Sequence, residues 1–111
     1  MKRGDIYFAN LNPTIGSEIK KTRPVLIVSN NANNNAADTI TVIPLTSNTK
    51  KIYPFEVLLA SEKTGLIKES KAQCHQIRTI SKLRLSGNLV TSITKDIMER
   101  IERAIRLHLD L

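Results

Sequence analysis

Apolar positions along this chain fall into short runs separated by polar or turn-forming residues, until the period changes near the C-terminus. Residues 5–11 read as a first strand, closed by the Asn12-Pro13 turn signal, and residues 14–22 as a loop pivoting on Gly16. Residues 24–29, Pro-Val-Leu-Ile-Val-Ser, form an apolar, β-branched run that predicts a strand buried on both faces. The asparagine-rich stretch 30–35 reads as a solvated loop, and residues 39–46 as a third strand. A polar, basic loop over 47–54 precedes a strand at 55–60, and Glu62-Lys63-Thr64-Gly65 reads as a turn. A strand over 71–77 would put Gln73, His75 and Ile77 on one face and Ala72, Cys74 and Gln76 on the other. Ser86-Gly87-Asn88 is a further turn candidate. Short strands at regular spacing predict a small barrel in an α+β, mostly β chain.

The last segment is helical. Ile97, Met98, Ile101, Ala104, Ile105 and His108 recur at helical spacing, with Thr94 as the expected N-cap. Asp96–Arg100, Glu99–Arg103 and Glu102–Arg106 are i,i+4 pairs with the acid first, each worth about 0.3–0.5 kcal/mol. The apolar stripe must pack on the strands. A lone helix after strands is not a helix-turn-helix. Neither a repeat nor a domain-splitting linker interrupts residues 1–111, so a single domain is expected.

Charge narrows the partner. Seventeen Lys and Arg against ten Asp and Glu leave a formal net charge of +7, which favours a polyanion: RNA, DNA or an acidic protein. The single cysteine, Cys74, excludes an intrachain disulfide, and without a Cys/His cluster no structural metal site is expected. The charged N-terminus is followed by no long apolar stretch, so neither a signal peptide nor a membrane anchor is read, and a cytoplasmic protein is expected.

The chemistry gathers at two strand ends. Pro24 biases Arg23 toward extended backbone at the mouth of an apolar strand, and Lys20 and Lys21 collect charge beside it. The run 39–45 ends in the hydroxyls of Thr46 and Ser47, followed by Lys50 and Lys51. An arginine fork can pair with two phosphoryl oxygens and stays charged, while a threonine hydroxyl can donate beside it. Together they read as parts of one phosphate-handling site. Glu18 either orients Arg23 or is a solvated loop acid, and Gln76 either reads a base edge or closes a turn. Lys50, Lys51 and Tyr53 are candidates to clamp and stack a single strand.

Lys2-Arg3-Gly4-Asp5-Ile6-Tyr7, Asn12-Pro13 with Gly16-Ser17-Glu18, Thr22-Arg23-Pro24-Val25-Leu26, Pro44-Leu45-Thr46 and Gln76-Ile77-Arg78-Thr79-Ile80 occur in order along nearly the whole chain. This ordered set resembles the MazF/PemK family, toxin endoribonucleases of bacterial toxin–antitoxin pairs. The resemblance implies an SH3-like barrel with a C-terminal helix, assembled as a homodimer. It implies sequence-specific, metal-independent cleavage of single-stranded mRNA without a cofactor, leaving a 2′,3′-cyclic phosphate and a 5′-hydroxyl. A cognate MazE-like antitoxin would cover the RNA groove with an acidic tail. Arg23 and Thr46 match the catalytic pair of the MazF branch. In the PemK branch, the positions of Ser17, Gln73 and His75 hold His, Arg and Asp, and this chain keeps none of those identities. Ser17 and Gln73 then stand as substrate contacts. His75 is either a proton shuttle, with an ordinary pKa near 6.5, or a packing residue. A gyrase-poisoning toxin of the CcdB type shares the barrel but relies on a C-terminal Trp, and this chain has no Trp.

Overall fold

The computed structural model describes residues 1–18 and 21–111, so Lys20 lies outside the described residues. Among the described residues seven strands form: β1 (Asp5–Asn10), β2 (Thr22–Ile27), β3 (Thr39–Thr46), β4 (Glu56–Leu59), β5 (Ser70–Gln73), β6 (Arg78–Ser81) and β7 (Leu85–Ser92). Three helices join them: α1 (Asn31–Ala36), α2 (Ser61–Thr64) and α3 (Lys95–Leu109). The pairings are antiparallel, in the order β4-β5-β3-β2-β1-β7, and β6 also pairs with β3. The sheet curls without closing, a barrel-like form of the expected architecture. Its two ends approach where the Thr91 hydroxyl on β7 donates to the Thr64 carbonyl at 2.8 Å. Gly65, at φ +77°, makes room there, since a Cβ would lie 3.0 Å from Thr91 Oγ1.

β3 is the hub, and its alternation explains why. Ile43 and Leu45 face one apolar cluster, with Ile6, Leu26, Leu59 and the helix residues Ile97, Met98, Ile101 and Ala104. Ile40 and Val42 face a second, with Ala9, Leu11, Val25, Ile27 and Ile80. With apolar residues filling both faces, β2 reads as a continuous hydrophobic run. The stripe of α3 docks as its period predicts, but Glu102 reaches Arg3 at 3.0 Å rather than its own helix neighbour. The Thr94 hydroxyl bonds the Asp96 side chain and leaves the backbone donors of the first turn to other partners. Among the described residues no helix is long and apolar enough to cross a membrane.

Four expectations are corrected. The stretch 30–35 is not a loop: Asn30 caps α1 by accepting from the Asn33 N–H at 2.8 Å, and Asn34 is buried. The turn expected at Glu62 to Gly65 contains the helical turn α2, ended by left-handed Gly65. Ser86-Gly87-Asn88 lies inside β7, where Gly87 at φ +74° accommodates a register shift against β1 between Ile6 and Phe8. The strand expected over 71–77 breaks after Gln73 into a 3-10 turn, Cys74–Gln76. Three steps along β3, from Leu45 to Val42, match six along its neighbour, from Ala72 to Arg78, and the turn absorbs the difference. The inference that Gln73 and His75 share one strand face therefore fails.

Candidate active site

The pairing of β2 with β3 sets Val25 opposite Pro44. Carried two residues further, the same register brings Arg23 to Thr46, whose Oγ1 accepts from Arg23 Nη1 at 3.5 Å. Thr46 Oγ1 also accepts from the Asn48 backbone N–H at 3.3 Å, so the hydroxyl proton is available to donate outward. Arg23 is half-buried, at the exposed start of β2.

The pair stands on a ridge between two recesses. The polar one, about 220 Å³, is completed by Ser17, Asn48, Lys71, Gln73 and Gln76. Gln76 Nε2 donates to the Ser17 carbonyl at 3.2 Å and ties the 3-10 turn to the segment before β2. The other, about 410 Å³, is mainly apolar and includes Phe8, Lys21, Leu45, Ser47, Leu66 and Ile67.

Two members of the polar recess escaped the sequence reading. Lys71 is buried, its ammonium donating to Glu56 at 3.0 Å and to the Lys51 carbonyl at 2.7 Å. Glu56 pairs across the strands with Gln73 and reaches Lys71 diagonally, an arrangement that satisfies both buried charges. Glu56 inside the apolar run 55–59 was the available signal, since a charge there asks for a buried partner. Asn48 enters through its turn after Thr46 and carried no signal of its own. Gln73 Oε1 is buried with no hydrogen-bond partner among the described residues, an acceptor facing an unfilled demand.

The remaining candidates scatter around this ridge. Glu18 accepts from the Ile15 N–H at 2.9 Å and so ties its own loop. Lys21 takes up a left-handed φ of +73° at the edge of the apolar recess. Lys50 is exposed and lines neither recess. Lys51 lies over the Tyr53 ring at 4.8 Å, and Tyr53 stacks in parallel on Phe55 at 5.4 Å.

His75 belongs to that aromatic group, not to either recess. Its ring meets Phe55 edge-on at 4.5 Å and His108 at 6.3 Å, and Nδ1 is buried with no hydrogen-bond partner among the described residues. Burial lowers its pKa below 6.5; Glu56 opposes the shift, while His108 and Lys71 add to it. A histidine held neutral in the fold contributes stability that is present above pH 6.5 and lost as pH falls through its lowered pKa. His75→Gln is therefore expected to flatten the acid side of the stability curve, read as urea midpoints at pH 7.5, 6.5 and 5.5. The same variant should cut RNA within about tenfold of wild type. Parallel stability curves together with a rate loss of about 10²-fold would return the ring to the chemistry. Cys74 is fully buried, and burial pushes its thiol up to about 12, which makes it an inert core residue.

A fixed arginine fork beside a donating hydroxyl, in a basic barrel-like sheet, is equipment for holding a phosphoryl group. Residues 2–109 match the family of PemK-like, MazF-like toxins of type II toxin–antitoxin systems. The chain is 41% identical to endoribonuclease MazF9 of Mycobacterium tuberculosis over 116 aligned positions, spanning 100% of this chain and 98% of that protein. It is 35% identical to endoribonuclease EndoA of Bacillus subtilis over 112 positions, spanning 100% and 96%. Among solved structures, a mycobacterial endoribonuclease in complex with its cognate antitoxin superposes with a TM-score of 0.81 at 27% identity, covering 100% of this chain and 96% of that one. MazF from Deinococcus radiodurans, at 22% identity and TM-score 0.87 over 100% and 97% of the two chains, shares the fold. The chain belongs to the PemK/MazF toxin family, and its class is that of a toxin endoribonuclease of a toxin–antitoxin system.

Proposed function

We propose that this protein cuts single-stranded mRNA at a specific sequence without a metal, leaving a 2′,3′-cyclic phosphate and a 5′-hydroxyl, with Arg23 and Thr46 as its catalytic pair. The observation that carries the reading is the Arg23–Thr46 contact at 3.5 Å on adjacent strands. In this scheme the RNA 2′-hydroxyl gives its proton to water as its oxygen bonds to the neighbouring phosphorus, and the P–O5′ bond breaks with water returning a proton to the 5′-oxygen. Arg23 holds two non-bridging oxygens, and the Thr46 hydroxyl donates to one of them as negative charge builds. Lys71 lines the same recess with its charge paired to Glu56, so it shapes that wall rather than adding net charge.

Ser17, Gln73 and Gln76 contact the substrate from the polar side, while Lys20, Lys21, Ser47, Lys50, Lys51 and Tyr53 serve the flanking nucleotides. The net charge of +7 suits RNA and equally the acidic tail of a MazE-like antitoxin. Two copies forming a homodimer would extend the groove, in the cytoplasm where mRNA is found. His75 supports the wall of the site by packing.

The test is incubation with single-stranded RNA in EDTA, followed by direct 5′-phosphorylation of the fragments. Cleavage with fragments that accept phosphate without prior phosphatase treatment is expected. Intact RNA in EDTA with cleavage restored by a divalent cation would overturn the metal-independent scheme. Fragments already carrying 5′-phosphate would overturn the 2′-oxygen attack.

A further inference from the structure

We propose that Arg84, with Arg78 beside it, is a positioning residue of the RNA site: it clamps the base of the segment between β1 and β2, so that Ser17 and Lys21 meet the substrate in one fixed arrangement. The inference rests on the reading of Ser17 and Lys21 as substrate contacts. It starts from where three of the seventeen Lys and Arg side chains point. In a chain this basic, the cations of β6 and of the 3-10 turn Lys82–Arg84 after it invite a reading as phosphate contacts. They point into the protein instead. Arg78 Nη1 donates to the Leu11 carbonyl at 3.4 Å and Lys82 Nζ to the Asn34 carbonyl at 2.6 Å. Arg84 Nη1 donates to the Asn10 carbonyl at 3.1 Å and to the Asn12 carbonyl. None of the three lines either recess.

Three consecutive carbonyls, those of Asn10, Leu11 and Asn12, therefore accept from two guanidiniums that lie 67 to 74 positions further along the chain. Bonds from a charged donor are stronger than those between neutral groups. They fall where the β1–β2 ladder ends, at the pair Asn10 and Thr22. Immediately beyond, the Leu11 N–H donates to the Lys21 carbonyl at 3.1 Å, and the Lys21 N–H donates to Asn12 Oδ1 at 3.2 Å. Both backbone groups of Lys21 thus bond to residues that the arginines hold. This decides the shape of the segment, because Lys21 has a φ of +73°. A residue with a side chain keeps that left-handed backbone only where its surroundings fix it.

The other side of the segment is tied as well, through the bond from Gln76 to the Ser17 carbonyl. One stretch of chain, 76–84, therefore holds the segment at both places. A surface loop left to itself samples many arrangements, and binding RNA would have to narrow them; fixing the loop beforehand removes that cost. Arg23 and Thr46 take their relative place from the β2–β3 register, not from this segment. The clamp therefore acts on RNA binding more than on the chemical step.

The test uses the full chain and RNA carrying the mapped cleavage site. Arg84→Met keeps the aliphatic stem and removes the donors. It should raise the RNA concentration at half-maximal rate about 10-fold, while the single-turnover rate at saturating RNA stays within about threefold. Trypsin acting on the native protein should cut after Lys21 about 10-fold faster than in wild type, with the urea midpoint of the whole fold little changed. Arg84→Lys, whose ammonium again offers donors to the carbonyls, should recover part of both effects. In a Lys21→Ala background the loss of RNA affinity on Arg84→Met should shrink, since the two changes act through one segment. The proposal is overturned if trypsin cuts after Lys21 at the wild-type rate, or if the affinity losses of the two variants multiply, as two separate phosphate contacts would. It is equally overturned if the rate at saturating RNA falls as far as the affinity does. Arg84→Gln decides by the same readings if Arg84→Met does not fold. Failure of the underlying reading looks different: if Ser17→Ala and Lys21→Ala both bind RNA as wild type does, the segment loses its substrate role and Arg84 its positioning role, even where trypsin shows the clamp intact.

Discussion

Arg23→Ala is expected to slow RNA cleavage by about 10³-fold or more at saturating RNA, with the fold intact. The size follows from what the fork does. Among the described residues it is the one guanidinium lining both recesses, and on the proposed scheme it neutralises charge that appears only as phosphorus becomes five-coordinate. Its removal costs the fold little, because Arg23 is only half-buried while Val25, Leu26 and Ile27 after it hold the core. A change of under about 1.5 kcal/mol in unfolding free energy is expected. Arg23→Lys keeps the charge but not the planar pair of donors, so it should recover only part of the rate. A purified Arg23→Ala protein cutting within about threefold of wild type would remove Arg23 from the chemistry.

Thr46→Val should lower the single-turnover rate by about 10²-fold while RNA affinity changes little. Valine keeps the shape at the end of β3 and removes one oxygen, which accepts from Arg23 and the Asn48 N–H and has a proton left to donate. Asn48 is exposed, so water replaces the acceptor that its N–H loses. Thr46→Ser restores the hydroxyl and should come back to within several-fold. Equal losses in affinity and turnover for Thr46→Val would make Thr46 a substrate anchor instead of a transition-state donor.

Arg23 and Thr46 were legible as partners because β-branched runs declare β2 and β3, and both residues stand at the ends of those runs. The strands β6 and β7 were not. Arg78-Thr79-Ile80-Ser81 offers one buried aliphatic residue, and β7 is exposed along most of its length with Gly87-Asn88 in its middle. They exist because β3 and β1 need neighbours, which no local pattern records. His75 was misread because alternation holds only while a strand continues, and the 3-10 turn at Cys74 turns it toward Phe55. Lys71 was overlooked because its burial depends on Glu56, fifteen positions away, closing an ion pair across β4 and β5.

The register that holds Arg23 against Thr46 also governs how such a nuclease can change over generations. The proposed cutting pair rides on two strands locked by their neighbours, whereas Ser17, Asn48 and Gln76 reach the same recess from outside the strands. Segments of that kind tolerate insertion and exchange far better than a sheet interior does. A lineage can therefore acquire a new target sequence in small steps, each leaving the blade sharp. On the proposed scheme, loss of cutting with the fold intact follows most directly from a change at Arg23 or Thr46. Harmless forms of this toxin should accordingly arise by substitutions at Arg23 or Thr46 far more often than by drift in the segments that choose the RNA.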